Sequence, residues 1–577
     1  MHQIMRRNIA EHLRFIYGDT IAQKILPRVE ELLRKHAPCI VRKDVPRNPL
    51  PLTQRDALLV TYGDQVRKPG EPPLRTMAAF AQKHLPEVVS GIHILPFYPA
   101  SSDDGFSVMD YFAVDPALGS WRDMSENGRL FDLMFDAVFN HVSAQGDWFQ
   151  RFLRDDPAYR DFFITVEDSP DLSQVVRPRA LPLLTEFQTA AGPKKVWTTF
   201  SSDQVDLNAR NPEVLLALLD ALLFYVAHGA KFIRLDAIAY LWKEPGTPCI
   251  HLRQTHRIIQ LMRAALDEVA PRVMLITETN VPHTDNISYF GDGTNEAQLV
   301  YNFALPPLVL HAITTGNTAK LTRWAASLEF PSNEVTFFNF LASHDGIGIN
   351  PARGILSEAE INALVERAQA HGGLVSYKHN PDGSKSPYEL NINYFDALSN
   401  PAAREPIETQ VDRFIVAQAI MLSLRGVPGI YFHSLFGSRG DRAGAETSGI
   451  PRRINRQKLS GDEVERDLSR PDSLRSRVFL RYKTLLSQRG AGSAFHPCGQ
   501  QEVIDCGEHV FAVLRVSPDE TQQVLCLHNV TSKEVRAAIR LTNEAKRRYA
   551  GRKTLLDGIV ERCLPPYGVD WVSSTID

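Results

Sequence analysis

Short apolar runs recur along the chain and are separated by longer stretches whose apolar positions repeat at i, i+3 and i+4. That is the alternation of a buried strand followed by a helix packed against it. The short runs are LLVTY (58–62), GIHILPF (91–97), LMFDAVFNH (133–141), KFIRLDA (231–237), VMLITE (273–278), LVYNFALP (299–306), TFFNFLASHD (336–345) and GVPGIYF (426–432). Between them lie helical patterns such as NPEVLLALLDALLFYVAHG (211–229) and THRIIQLMRAALDEVAP (255–271). Eight such units predict an α/β chain built as a (β/α)8 TIM barrel.

Two gaps are too long and too polar to be simple crossovers. Residues 142–204, rich in Pro and Ser over 168–184, read as an insertion after the third strand. Residues 346–400, containing HNPDGSKSPYELN, read as a second insertion after the seventh. Beyond residue 495 the pattern changes to short alternating strands, HVFAVLRVS (509–517) and QQVLCLHNV (522–530), so 495–577 is expected to form a C-terminal antiparallel β domain. Residues 1–50 read as a mostly helical N-terminal extension, which leaves 51–141, 205–345 and 401–494 for the barrel.

Charge adds mainly exclusions. Lys+Arg 64 against Asp+Glu 67 leaves a net charge of −3, with no basic excess to recruit nucleic acid or a membrane surface. No run approaches the ~18–20 apolar residues of a spanning helix, and MHQIMRRNIAEHLRFIYGD lacks a signal-peptide apolar core. A cytoplasmic location is the expectation. The six cysteines are scattered without CxxC spacing, so reduced thiols and no metal are expected. Nothing in the sequence fixes an oligomeric state.

In a barrel of this kind the chemistry sits where strands end. The runs deliver Asp136, Asn140 and His141 from the third strand and Arg234 and Asp236 from the fourth. The fifth gives Glu278, and the seventh His344 and Asp345. Charges gathered at one rim are costly to bury unless paired or used. Glycoside cleavage with retention needs two carboxyl groups ~5–5.5 Å apart, one attacking the anomeric carbon and one protonating the leaving oxygen. Neighbouring strand ends can supply them, with Asp236 as nucleophile and Glu278 as acid/base. Arg234 stands two residues before Asp236, on the same strand face, where a guanidinium is expected to lower the carboxylate's pKa. Glu278 needs an apolar pocket that raises its own.

The strings DAVFNH (136–141), FIRLDAIAY (232–240), ITETN (276–280) and FLASHDG (340–346) resemble, in type and order, the four conserved regions of the α-amylase superfamily, glycoside hydrolase family thirteen. The resemblance implies that Asp236 is the nucleophile, Glu278 the acid/base and Asp345 the carboxylate that stabilises an oxocarbenium-like transition state. It also implies that Arg234 orients Asp236, and that His141 and His344 bond sugar hydroxyls.

Longer stretches narrow it. SSDDGFSVMDY (101–111), RPRALPLL (177–184), VWTTFSSDQVDLN (196–208), KEPGTPCIHL (243–252), YNFALPPLVLHAITTGN (301–317), SHDGIGI (343–349) and GIPRRINR (449–456) are similar to the sucrose phosphorylase branch, over about residues 55 to 460. This implies a closed pocket for one glucosyl unit, held by Asp103 and Arg452, with Phe106 as an apolar platform. Phosphate must outcompete water at the glucosyl-enzyme, which requires cations, and Arg177 and Arg179 are forks suited to bind it bidentately. The same resemblance implies that Tyr240 and Tyr388 complete the acceptor site.

Val176, Ser386 and Glu389 depart from the residues sucrose phosphorylases carry around fructose. GFSVMDY, NPDGSKSPYELN and LFGSRGDR look more like the glucosylglycerate phosphorylases. Glu389 is kept among the acceptor contacts, and Lys385 is the extra cation a glycerate carboxylate needs. The implied reaction converts 2-O-α-glucosyl-D-glycerate and phosphate, as co-substrate, into α-glucose 1-phosphate and D-glycerate without a cofactor. The alternatives are a sucrose or sucrose 6-phosphate phosphorylase, a hydrolase or transglucosidase, and a non-catalytic amylase-like binding protein, against which the three retained carboxylates weigh.

Overall fold

A computed structural model describes residues 3–40, 50–167, 170–179, 181–380, 383–539 and 561–575. Eight parallel strands close into a barrel in chain order. They are β1 (Leu58–Thr61), β2 (Gly91–Ile94), β3 (Asp132–Val138), β4 (Ala230–Asp236), β5 (Met274–Thr277), β6 (Leu299–Tyr301), β7 (Thr336–Asn339) and β8 (Val427–Tyr431). Each lies within, or within a residue of, one of the apolar runs. These strands are covered on both faces, so they read as continuous rather than alternating hydrophobic segments.

The runs overshoot the strands at their C-terminal ends. TFFNFLASHD, for instance, contains a strand only to Asn339, and Phe340–Asp345 is loop. The overshoot has a physical cause: these βα loops stay packed and largely apolar while they turn polar side chains into the barrel mouth.

Outside the barrel, the helix Pro212–Ala227 starts on Asn211, whose side chain accepts from the Glu213 N–H, and Arg253–Val269 packs a strongly amphipathic face. At the N-terminus, α1 (Gln3–Tyr17) and α2 (Asp19–His36) form a hairpin through Gly18, at φ 78°. Ile9, Leu13, Ile25, Val29 and Leu33 are buried against the barrel helices. Residues 41–49 of the expected extension lie outside the described residues.

After β3 the chain forms the helix Asp147–Leu153 and a hairpin, Leu184–Thr189 with Gly192–Trp197. After β7 it forms the helix Glu358–Ala370 and a three-stranded sheet of Ile347–Gly348, Lys385–Asn391 and Leu374–His379. Gly346 admits that sheet to the barrel mouth, because a Cβ there would lie 2.4 Å from the Leu390 carbonyl oxygen.

Gln500–Asp505, Val510–Val516, Gln522–Asn529 and Val569–Thr575 make an antiparallel sheet at the C-terminal end; residues 540–560 lie outside the described residues. Arg515 is fully buried and docks this sheet by donating to the Ser423 and His496 carbonyls. Among the described residues no helix is long and apolar enough to cross a membrane.

Candidate active site

β4 sets the centre. Arg234 and Asp236 project to the same side of the strand, and β3 pairs so that Asp136 stands opposite Arg234. Arg234 Nη1 donates to Asp136 Oδ1 at 2.5 Å and lies 2.9 Å from Asp236 Oδ1, while Nη2 lies 3.8 Å from Glu278 Oε1. His93 closes the base by bonding Asp136 Oδ2 at 2.7 Å. Burial works to raise the Asp136 pKa, but His93 and Arg234 outweigh it and hold the group ionised. Asp136 is therefore an anchor for Arg234. The chain turns sharply after Asp236, with Ala237 in the left-handed region at φ 49°, and the Ala237 N–H donates to Glu278 Oε2 at 3.2 Å.

Burial, reinforced by Glu278, Asp136 and Asp345, raises the Asp236 pKa in spite of Arg234. Arg234 does lower it, as its place on the strand predicts, but burial and the three carboxylates outweigh that effect. Burial and Asp345 raise Glu278 as well. Two interacting carboxyls in one low-dielectric site retain a proton between them. Arg234, 2.9 Å from Asp236 and 3.8 Å from Glu278, favours the charge on Asp236 over the charge on Glu278.

Asp345 is governed differently. Burial opposes its ionisation, yet Arg452, His344 and Arg456 overcome it and hold the group far below the ordinary range. Arg452 Nη1 lies 2.7 Å and Arg456 Nη2 3.1 Å from Asp345 Oδ1. Burial pushes His141 down to about 4 and His344 to about 3, so both imidazoles are neutral at neutral pH. Asn140 Nδ2 faces His141 Nδ1 at 3.2 Å and the Phe106 carbonyl faces Nε2 at 3.0 Å, the partners of an Nε2–H tautomer. Phe106 stacks on His344, with ring centroids 4.8 Å apart and planes 5° from parallel.

Asp236, Glu278, Asp345, His141, His344, Phe106 and Arg452 line one cavity of about 70 Å³, together with Asp103, Arg179, Tyr240 and Tyr388, while Arg234 lies beneath its lining. A space of that measure holds about five waters, the size class of a single sugar ring rather than a chain of them. Arg179 crosses it to pair with Asp103 Oδ2 at 2.9 Å, and Gln204 donates to the same oxygen at 3.2 Å. Three expected residues fall elsewhere. Arg177 turns away and donates to the Leu181 carbonyl, because the loop carrying it and Arg179 is not a strand and does not put i and i+2 on one face. Lys385 is exposed at the start of its hairpin strand, outside the lining. Glu389 is buried and turned to Arg452, which it holds bidentately at 3.0 and 2.7 Å, so it faces a protein cation rather than the open cavity.

Gln204, Phe200 and Asn280 also line the cavity and were not anticipated. Nor was Asp104, which receives Arg453 Nη2 and Arg456 Nη1 at 2.8 and 2.7 Å. Arg453 lies on the 3-10 turn Pro451–Asn455 and Arg456 is the residue that ends it. Below the rim, the Lys243 ammonium sits between Asn140 Oδ1, at 2.5 Å, and Asp206. Among the described residues no group of three or more His, Cys, Asp or Glu side chains is placed to hold a metal ion.

Barrel, rim carboxylates and buried arginine together define an α-amylase-type barrel. Residues 87–347 match the α-amylase catalytic domain family. The chain is 53% identical over 530 residues to the glucosylglycerate phosphorylase of Allomeiothermus silvanus, spanning 92% of this chain and 93% of that one. It is 56% identical over 482 residues to that of Spirochaeta thermophila, spanning 84% and 81%. The crystal structure of sucrose 6F-phosphate phosphorylase from Thermoanaerobacter thermosaccharolyticum superposes with a TM-score of 0.72 at 24% identity, over 82% of this chain and 94% of that one. The chain belongs to the α-amylase family, on the branch that holds these glucosylglycerate phosphorylases.

Proposed function

We propose that the protein is a retaining phosphorylase that converts 2-O-α-glucosyl-D-glycerate and phosphate into α-glucose 1-phosphate and D-glycerate. The observation that carries this reading is that one cavity gathers Asp236 beside Arg234, Glu278 and the ion-paired Asp345 together with the Arg179 guanidinium. The names and high identity of the Allomeiothermus and Spirochaeta relatives support it.

In the first half-reaction Asp236 attacks the anomeric carbon, the glycosidic C–O bond breaks, and Glu278 gives its proton to the departing glycerate oxygen. Asp345 and the glucosyl-Asp ester then flank the same carbon. In the second half-reaction a phosphate oxygen attacks from the side glycerate left, Glu278 takes up a phosphate proton, and Asp236 departs as carboxylate. Two inversions return the α configuration. His344, neutral, can donate to or accept from a ring hydroxyl, His141 can do so only in exchange for its contact with the Phe106 carbonyl, and Phe106 offers an apolar face. A glucosyl hydroxyl arriving at Asp103 competes with Arg179 and frees that fork for the anion. Phosphate and glycerate occupy the same region in turn, so one cation can serve both. Tyr240 and Tyr388 border this region. The reading invokes no cofactor and no metal, and places the reaction in the cytoplasm.

The acceptor is tested by supplying α-glucose 1-phosphate with fructose, fructose 6-phosphate, glycerol or D-glycerate and measuring phosphate release. D-Glycerate is expected to give the highest kcat/KM; equal or better use of fructose would return the assignment to a sucrose-type phosphorylase. Arg179→Ala is expected to lower kcat/KM for phosphate and for D-glycerate together, by about 10–100-fold each, the scale of one lost charge-assisted contact.

Glu389 calls for its own variant. Glu389→Gln keeps the shape but removes one of the two carboxylates that fix Arg452, and kcat/KM is expected to fall about 10–100-fold with the thermal midpoint little changed. Parent-like kinetics would mean that Asp345 alone positions Arg452.

A further inference from the structure

A second polar cavity, of about 420 Å³, opens where three parts of the chain meet. The insertion after β7 contributes Arg367 and His371, the helix Ile407–Ser423 contributes Arg413 and the segment leading into it Arg404 and Glu405, and the C-terminal sheet region contributes Tyr567. It shares no lining residue with the catalytic cavity.

Its charge is unbalanced: three arginines face one carboxylate, in a protein whose net charge is −3. Two of the forks are fixed in place, Arg367 by backbone carbonyls and Arg413 chiefly by side chains. Arg367 spends Nε and Nη2 on the Ala397 and Leu398 carbonyls at 2.9 and 2.8 Å. Arg413 binds Ser399 Oγ at 2.8 Å and Glu405 Oε1 and Oε2 at 2.5 and 2.8 Å, and lies 4.9 Å from the centre of the Tyr567 ring. Among the described residues Arg367 Nη1 has no hydrogen-bond partner, and Arg404 is exposed and has neither a hydrogen bond nor an ion pair. Burial and, after it, the neighbouring Arg413 depress the Arg367 pKa.

We propose that this cavity is a second anion site, separate from the catalytic one, that takes a small phosphomonoester. Oriented guanidinium forks match the oxygens of a phosphate group, and Arg404 at the mouth supplies the cation not already committed to the protein. The volume exceeds what a bare phosphate fills and leaves room for the organic part of an ester. Asn400, and His371 with its Nδ1–H given to the Asp396 carbonyl at 2.6 Å, provide polar wall for hydroxyls on that part.

The test is isothermal titration of the full-length protein with glycerol 3-phosphate and, separately, inorganic phosphate at low ionic strength. The ester is expected to bind the parent and the Arg179→Ala variant alike. Arg404→Glu is expected to weaken it at least about tenfold without moving the thermal midpoint, whereas Arg404→Lys stays within about threefold of the parent. Four results would overturn the proposal: no heat with the parent, an Arg404→Glu titration equal to the parent's, loss of binding in Arg179→Ala, which would seat the ester in the catalytic cavity, or inorganic phosphate binding this site as tightly as the ester.

Discussion

Asp236→Asn is expected to leave less than about a thousandth of the parent kcat/KM with every glucosyl donor, whatever the leaving group. The reason is that the amide cannot form the glucosyl ester, so neither half-reaction proceeds. The substitution is nearly isosteric, and Arg234 keeps Asp136 as a partner when the charge at position 236 is gone. Folding should therefore survive, which a thermal midpoint close to the parent's would establish. Because a trace of parent enzyme can mimic residual activity, the decisive measurement is mass spectrometry of protein quenched during turnover of a slow donor. A glucosyl adduct on the peptide carrying Asp236 is expected in the parent and absent from the variant. An adduct on another carboxylate, or a variant with a tenth of the parent's rate, would remove Asp236 from the nucleophile's place.

That such a prediction can begin from the sequence reflects where its information lies. The barrel strands are buried on both faces, and this forces long apolar runs that announce themselves without reference to partners. Arg234 and Asp236 are two residues apart in a strand, so their common direction follows from strand geometry alone. Loop residues carry no such rule. Arg177 and Arg179 have the same spacing, yet one binds a local carbonyl while the other crosses the cavity to Asp103. Lys385 is three residues from Tyr388, but the hairpin leaves the lysine exposed and turns the tyrosine into the cavity. Glu389 illustrates a further limit: its partner, Arg452, is 63 residues away, and only the packed structure reveals that the carboxylate is already committed. The Asp236 pKa shows the same limit: strand spacing gives the lowering effect of Arg234, whereas the burial and the three other carboxylates that outweigh it come from the packed structure.

Glu278→Gln should separate donors by how much they need a proton. A glycerate oxygen is a poor leaving group, and removing the acid is expected to cost roughly 10²–10⁴-fold in kcat/KM on the natural glucoside. Fluoride departs without protonation, so α-glucosyl fluoride should lose far less in the glucosylation step. The pH profile supplies an independent reading. Burial and Asp345 raise the Glu278 pKa, so the acid form persists toward neutral pH and is lost as pH climbs through the raised value. The parent's kcat/KM for the glucoside should therefore fall on the alkaline side, and that limb should disappear in Glu278→Gln, whose amide does not titrate. Asp345 cannot produce this limb, because Arg452 and Arg456 overcome the effect of its burial and keep it ionised throughout the working range. Should the fluoride lose as much rate as the glucoside, or the alkaline limb survive in Glu278→Gln, the proton must come from another group and the assignment of Glu278 falls.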